Sequence, residues 1–532
     1  MKRIFAYVAA VVLAFACVKP APDPELPPEK EPEQQGPVLR SITLIDNAVT
    51  LEPGGSAELH FKVEDADYKF DKVSLLGTDG NVPSRFHLES FKPDSEQGRY
   101  IAVIQNDTSD ESYNRTVKLS IETAEGTSVQ SSNFLVVGKL PKPGMVHTGL
   151  PVVFVDTQNG QAITSKETFV NARMSITGTE TLDGLQEVAC SIRGRGNTTW
   201  TWPKKPYLVK LEEKASVFGF PKHKRWVLLA NFMDRTMMRN MVAMKVSSMT
   251  SLAWTPRCQP VELVLNGKHV GNYLLIEQVR VDNDRINITE MTPQDNTGDA
   301  VTGGYLLELD FHYDNEFQWK DHNIPFAVKY PDPEDLTSEQ KTYIKEHIKL
   351  VSNVLYGSNF TDPYNGYARF LDVDSFIDYW IVFEVMTNHE LGNPGSVFIH
   401  KDRGGKLVAG PCWDFDWGVL TFDTTGGDYR LINRNAIWYN RLFQDPVFLE
   451  KTRARIRELL PQLETIPAYI DECEALLKES AELNFQMWDP AQDASQNGGH
   501  IINGDERMSF HDAVQRIKKN YLIHLQLILD TL

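Results

Sequence analysis

Cysteine is scarce in this chain, five among 532 residues. Apart from Cys17, the four at Cys190, Cys258, Cys412 and Cys473 show no Cys-x-x-Cys spacing. That excludes a disulfide-rich scaffold and argues against a cysteine metal cluster; isolated cysteines are more often buried thiols than bridges. Positive charge is also in deficit, with 54 Lys plus Arg against 72 Asp plus Glu and a net charge of -18. Such a chain repels phosphate backbones and anionic lipid, which excludes a general nucleic-acid binder and leaves room only for a local basic pocket. What is present is a globular composition, 41% hydrophobic, 24% charged and 10% aromatic. At this length one core does not suffice, and two or three folded units are expected.

Lys2 and Arg3 precede an apolar run from Ile4 to Ala16 that is too short to span a bilayer and suits a secretory signal. Its end, Leu13-Ala14-Phe15-Ala16-Cys17, resembles the lipobox at which bacterial lipoproteins are cleaved and acylated, so residues 1–17 read as a signal peptide with lipidated Cys17. Export follows, with the cell envelope as destination, the protein facing the periplasm or the surface. Residues 18–38 are rich in Pro and Glu, a composition that favours extended polyproline II and reads as a stalk.

From 39 to 138 short runs of alternating polarity, among them AELHFKVED and TVKLSIETAEG, are punctuated by Gly, Asp and Asn turns. Their spacing predicts an immunoglobulin-like β-sandwich, a spacer or adhesive module without chemistry of its own. After LPKPG a second unit, 146–532, begins β-rich and finishes almost wholly helical. Its strands include EVACSIRGRG, KPYLVKLEE and RWVLLANF, then a helix over about 235–248, then a hairpin turning at Asn266 and Gly267. The fold class is therefore multidomain α+β, with a sheet-rich lobe and a helical lobe flanking a cleft.

Gly194, Arg195 and Gly196 permit a tight turn whose amides can approach phosphate, and the following strand region carries Lys204, Lys205 and Lys210. Glu277 and Gln278 end the sheet. This is the element order of a kinase nucleotide-binding lobe. Downstream, the aromatic-flanked WDFDWG places Asp414 and Asp416 two residues apart; on extended backbone they share a face and could hold one hard cation such as magnesium. Between a helix and the strand VFIHKD lies a polar loop, Asn388 to Ser396, in which Glu390 could serve as base or orienter and Asn388, Asn393 or Ser396 could lend neutral oxygens. His389 with Glu390 begins a zinc-protease HExxH, but Asn393 stands where the second His belongs.

IRGRGNTTW, PKKPYLVKL, RWVLLANFMDRTMMRN, VELVLNGKHVGNYLLIEQV, GGYLLELD and GPCWDFDWG closely resemble the CotH kinase family, named for a spore-coat protein, in the branch of Bacteroidetes exported lipoproteins. The resemblance implies an atypical protein-kinase-like bilobal fold, ATP as phosphate donor, a divalent metal (Mg2+ or Mn2+), and transfer to serines of an extracytoplasmic protein. It assigns Asp414 to metal with Asp416 beside it, and Lys205 or Lys210 to nucleotide. Where spore-type members are expected to carry a catalytic Asp and a downstream Asn, this chain has Glu390 and Ser396. No Glu follows Asp234 on the next helix to pair a strand lysine; Arg239 and Asn240 stand there, and Arg239 could contact phosphate or pair with Asp234.

Three functions remain open at this level: an envelope phosphotransferase using Glu390 and Asp414, a weak or inactive kinase-like module binding a surface protein or glycan, and a carboxylate hydrolase built on Glu308 with Asp310 or Asp414 with Asp416.

Overall fold

The computed structural model describes residues 41–532 apart from 52–53, 65–71, 79, 84–85, 108–113, 123–127, 138–141, 313–316, 422–429 and 492–501. The expected leader, the Cys17 expected to carry lipid and the expected stalk lie outside the described residues. Two β-sheets open the chain. One orders Ile42–Leu44, Ser56–Val63, Arg99–Asn106 and Phe86–Pro93; the other orders Ala48–Thr50, Phe134–Val137, Asn114–Glu122 and Val73–Gly77, with Ser128–Gln130 beside Asn114–Glu122. Alternation decides which faces meet: Leu59, Phe61 and Val63 are buried while Glu58 and Lys62 face water. Leu75, Leu119 and Ile121 of the second sheet join the same core, giving the two-layered β unit that the alternating runs predict.

Next, seven strands close into a barrel, in the order Val152–Thr157, Val170–Thr177, Leu185–Gly194, Tyr207–Ala215, His223–Leu229, Lys268–Glu277 and Cys258–Leu265. The first and last strands of that order pair in parallel. Met174, Ile192, Val209, Trp226, Leu263 and Tyr273 fill the interior, so it is a packed core and not a channel. Asn266 (φ 51°) and Gly267 (φ 71°) make the hairpin turn expected of them. The strand Val170–Thr177 has no counterpart among the sequence expectations.

The helix predicted over 235–248 is Arg239–Ser247. It starts late because Asp234 first turns the chain, accepting from the amides of Thr236 (3.0 Å) and Arg239 (3.0 Å). The remaining half is helix-dominated as expected but holds more strand than the sequence announces. It contains a five-stranded sheet, Gln318–Asp321, Ile324–Tyr330, Tyr305–Leu309, Val397–Lys401 and Leu407–Ala409. Against this sheet and the barrel pack helices Ser338–Tyr356, Val373–Val385, Pro446–Leu463, Ile466–Met487 and Phe510–Thr531 around one large apolar core. Helix Ile466–Met487, also unanticipated, docks on the barrel: Asn272 Nδ2 donates to Ser480 Oγ (2.9 Å) and Asn272 N to Asn484 Oδ1 (3.2 Å). Among the described residues no helix is long and apolar enough to cross a membrane.

Candidate active site

Two neighbouring cavities lie where the barrel meets the five-stranded sheet. The larger, about 660 Å³, is lined by Arg195 and Gly196 of the glycine turn, by Glu308 and Lys329 of the sheet, by Glu390, and by Asp414 and Asp416. The smaller, about 350 Å³, shares Arg193, Arg195, Glu308, Lys329 and Ser396 with it and is otherwise walled by apolar groups including Leu208, Val281, Phe398 and Trp413 and by the polar Gln278, Arg280 and Asp332.

The WDFDWG segment is not a strand, which corrects the extended-backbone expectation. Asp414 has φ 66°, a left-handed conformation that non-glycine residues seldom adopt, and Ser396 opposite it has φ 54°. These conformations persist because buried amides grip the loop: Asn388 Nδ2 donates to Asp414 O (3.2 Å), and Phe415 N donates to Asn240 Oδ1 (2.8 Å). Ser396 Oγ donates to Asp414 Oδ2 at 3.3 Å. Burial, followed by the charge of Asp414, pushes the Asp416 carboxyl well above the usual carboxylate range. Burial also raises Glu390 far above that range, with Asp414, Asp416, Glu308 and Asp310 adding to the effect. Glu390 Oε2 is shut off from solvent and accepts no hydrogen bond.

Of the residues singled out in the sequence, Arg195, Gly196, Glu390, Asp414 and Asp416 converge on the larger cavity. Gly194 has a different role: a Cβ there would sit 2.3 Å from the Trp200 ring, so it is small in order to seat that indole. Lys205 turns to Trp200 O (2.8 Å), Lys210 stands exposed on the barrel wall, and neither lines either cavity. Glu277 is fully buried and holds Arg257 through its backbone amide (2.9 Å) and guanidinium (3.2 Å). Arg239, also fully buried, is clamped by Asp234 and Asp505 and donates through Nε to Val419 O (2.8 Å). The nucleotide roles expected of Gly194, Lys205, Lys210, Arg239 and Glu277 are thus corrected. In the first the site is filled by an indole, and in the others the charged group is committed elsewhere or lines neither cavity.

Other cations, missed by sequence reasoning, line the cavities instead. Arg193 and Lys329 line both cavities, and Lys329 Nζ lies 3.0 Å from Glu308 Oε2. Arg195 stands over the Trp413 ring (5.6 Å); burial lowers its pKa while Asp414, Asp416 and Glu308 oppose that. Arg193 was readable, since it adjoins the glycine turn in IRGRG. Asp310 accepts from His312 N (2.9 Å), and with Glu308 it adds two more carboxylates to the lining.

Among the described residues no three His, Cys, Asp or Glu side chains form a complete metal cage. A magnesium site of one or two carboxylates completed by substrate phosphate fits the residues present. Asp414 and Asp416, pressed together in one cavity wall, form a donor pair whose mutual repulsion a cation would relieve.

A comparison with curated proteins finds no match. Among solved structures, the crystal structure of Salmonella alpha-2-macroglobulin reacted with methylamine aligns at 11% identity over 56% of this chain and 21% of that one. Its TM-score is 0.16, which says nothing of the fold. The family comparison is of another order: residues 192–521, more than half of the chain and the part that supplies most of the lining of both cavities, match the model of the CotH kinase protein family, and the chain belongs to that family.

Proposed function

We propose that this protein is a metal-dependent phosphotransferase that takes the terminal phosphoryl group of ATP and passes it to a serine or threonine hydroxyl of an extracytoplasmic protein. The observation that carries this reading is the meeting, in one cavity, of the Asp414–Asp416 pair with Arg195 and Lys329. Phosphoryl transfer relies on positioning and charge neutralisation more than on covalent help from the protein, and these groups supply both signs of charge. The smaller cavity suits the base of the nucleotide, since apolar walls at Leu208, Val281 and Phe398 lead directly to Arg193, Arg195 and Lys329. Asp414 and Asp416 would hold the divalent ion, which when bound supplies charge neutralisation at the phosphates. Arg195 and Lys329 would contact phosphate oxygens, and Glu390, in the same lining and held towards its neutral form by burial, would orient the incoming hydroxyl.

The leader and Cys17 support an exported lipoprotein held at the cell envelope by its acyl chains, with the stalk and the sandwich as spacer. A hydrolase is not favoured: Asp414 and Asp416 stand two residues apart in one cavity wall and leave no room for a substrate between them. The test is to incubate the purified chain, magnesium and γ-labelled ATP with envelope extract. Label on a protein band, lost in Asp414→Ala, is expected. Nucleotide binding without label would replace this reading with that of a kinase-shaped binding module.

A further inference from the structure

The acidic loop is gripped from behind by a segment far away in sequence. Asn503 is 1% exposed, and its side-chain amide makes three hydrogen bonds. Oδ1 accepts from Gly418 N (2.8 Å), while Nδ2 donates to Asp416 O (2.9 Å) and to Met233 O (3.0 Å). Its backbone is fixed too: Asn503 N donates to Glu506 Oε1 (2.7 Å), and Asn503 O accepts from Arg516 (2.8 Å). Every polar atom of this residue is therefore committed, and the amide has one possible orientation. Asn388 and Asn240 hold Asp414 O and Phe415 N, but Asn503 alone of these three spans the peptides on both sides of Trp417 and also reaches the barrel end at Met233.

We infer that Asn503 is a positioning residue that fixes the direction of the Asp416 carboxylate, and that the segment Ile502–Glu506 is part of the site although it contacts no substrate. Rotation of the peptide carrying Asp416 O swings the adjoining side chain, and a displacement near 1 Å at such a site is costly. Asn503 prevents that rotation by holding both flanking peptide groups against a backbone atom of the barrel end. The inference rests on Asp414 and Asp416 being the cation-binding pair.

The experiment titrates Mn2+, with and without ATP, into the full chain by calorimetry. It compares wild type with Asn503→Asp, Asn503→Ala and Asp445→Ala. Asp keeps the size and the acceptor for Gly418 N but loses both donations and sets a carboxylate against two carbonyl oxygens. Asp445 accepts from Val447 N (2.9 Å) to cap helix Pro446–Leu463 and from Tyr367 (2.6 Å), lining neither cavity, so its loss measures destabilisation alone. Mn2+ affinity should fall about 10- to 100-fold in both Asn503 variants and hold in Asp445→Ala. Excess Mn2+ should restore labelling in the Asn503 variants. Wild-type affinity within about twofold in both folded Asn503 variants, or failure of both to fold, overturns the inference. No Mn2+ binding by wild type overturns the assignment of the pair itself, a distinct result.

Discussion

Lys329 Nζ and Glu308 Oε2 lie 3.0 Å apart in the wall shared by the two cavities. They belong to neighbouring antiparallel strands in which Glu308 pairs with Ala327, so Lys329 stands two residues along on the same face. On the proposed function this pair would supply the lysine and carboxylate that the barrel strand and helix Arg239–Ser247 do not. Lys329→Met should weaken ATP binding about 10- to 100-fold, the scale of a hydrogen bond to a charged group, while Lys205→Met and Lys210→Met leave it unchanged. Equilibrium binding of a fluorescent ATP analogue reads all three.

Removal of the cation should be visible in stability as well as in turnover. With Mg2+ and ATP at about 100 times Kd the wild type should gain about 2.7 kcal/mol, a gain abolished by chelator. Asp414→Asn should show no gain under any condition. In metal-free buffer Asp416→Asn should melt at or above the wild-type temperature, because the carboxyl it replaces is already forced towards its neutral form beside Asp414. Thermal melts with and without chelator measure both.

The carboxylates of the site were legible in the sequence because Asp414 and Asp416 are local: two acids among aromatics at one turn, whatever backbone carries them. Arg195 was legible for the same reason, fixed by glycines on either side. What was not legible depends on contacts between distant segments. The Lys329–Glu308 pair exists only because two short strands pair in one register, and no periodicity in so few residues announces it. Arg239 was readable as a helix arginine, but its partner Asp505 lies 266 residues away. Of the five-stranded sheet, GGYLLELD and VFIHKD were legible as strands, whereas Gln318–Asp321 and Leu407–Ala409 are too short to alternate convincingly.

The assignment of Arg239 to structure predicts a stability phenotype. It is 0% exposed, held by Asp234 and Asp505, and donates to Val419 O. Arg239→Met leaves two buried carboxylates without their counter-charge and should cost about 3–5 kcal/mol, read as a lower urea midpoint. Arg239→Lys should recover little of this, since an ammonium cannot bridge two carboxylates and a carbonyl with the planar fork that guanidinium offers.

Lys204 gives a pH signature. It is 1% exposed, donates to Asn484 Oδ1 (2.8 Å) and to Asn272 O, and burial lowers its pKa from 10.5 to about 7, with Glu262 opposing weakly. Between these two values the unfolded chain holds a proton that the folded chain has released, so stability rises with pH across that window. Below it both states are protonated, and the cost of the buried ammonium is fully present. Relative to Lys204→Met, the wild type should therefore gain up to about 1.4 kcal/mol per pH unit between about pH 7.5 and 9.5. Urea unfolding of both proteins across that range measures the difference. Parallel pH profiles would mean that the hydrogen bonds to Asn272 and Asn484 keep the ammonium charged throughout, and that the barrel holds a permanent positive charge at the edge of the larger cavity.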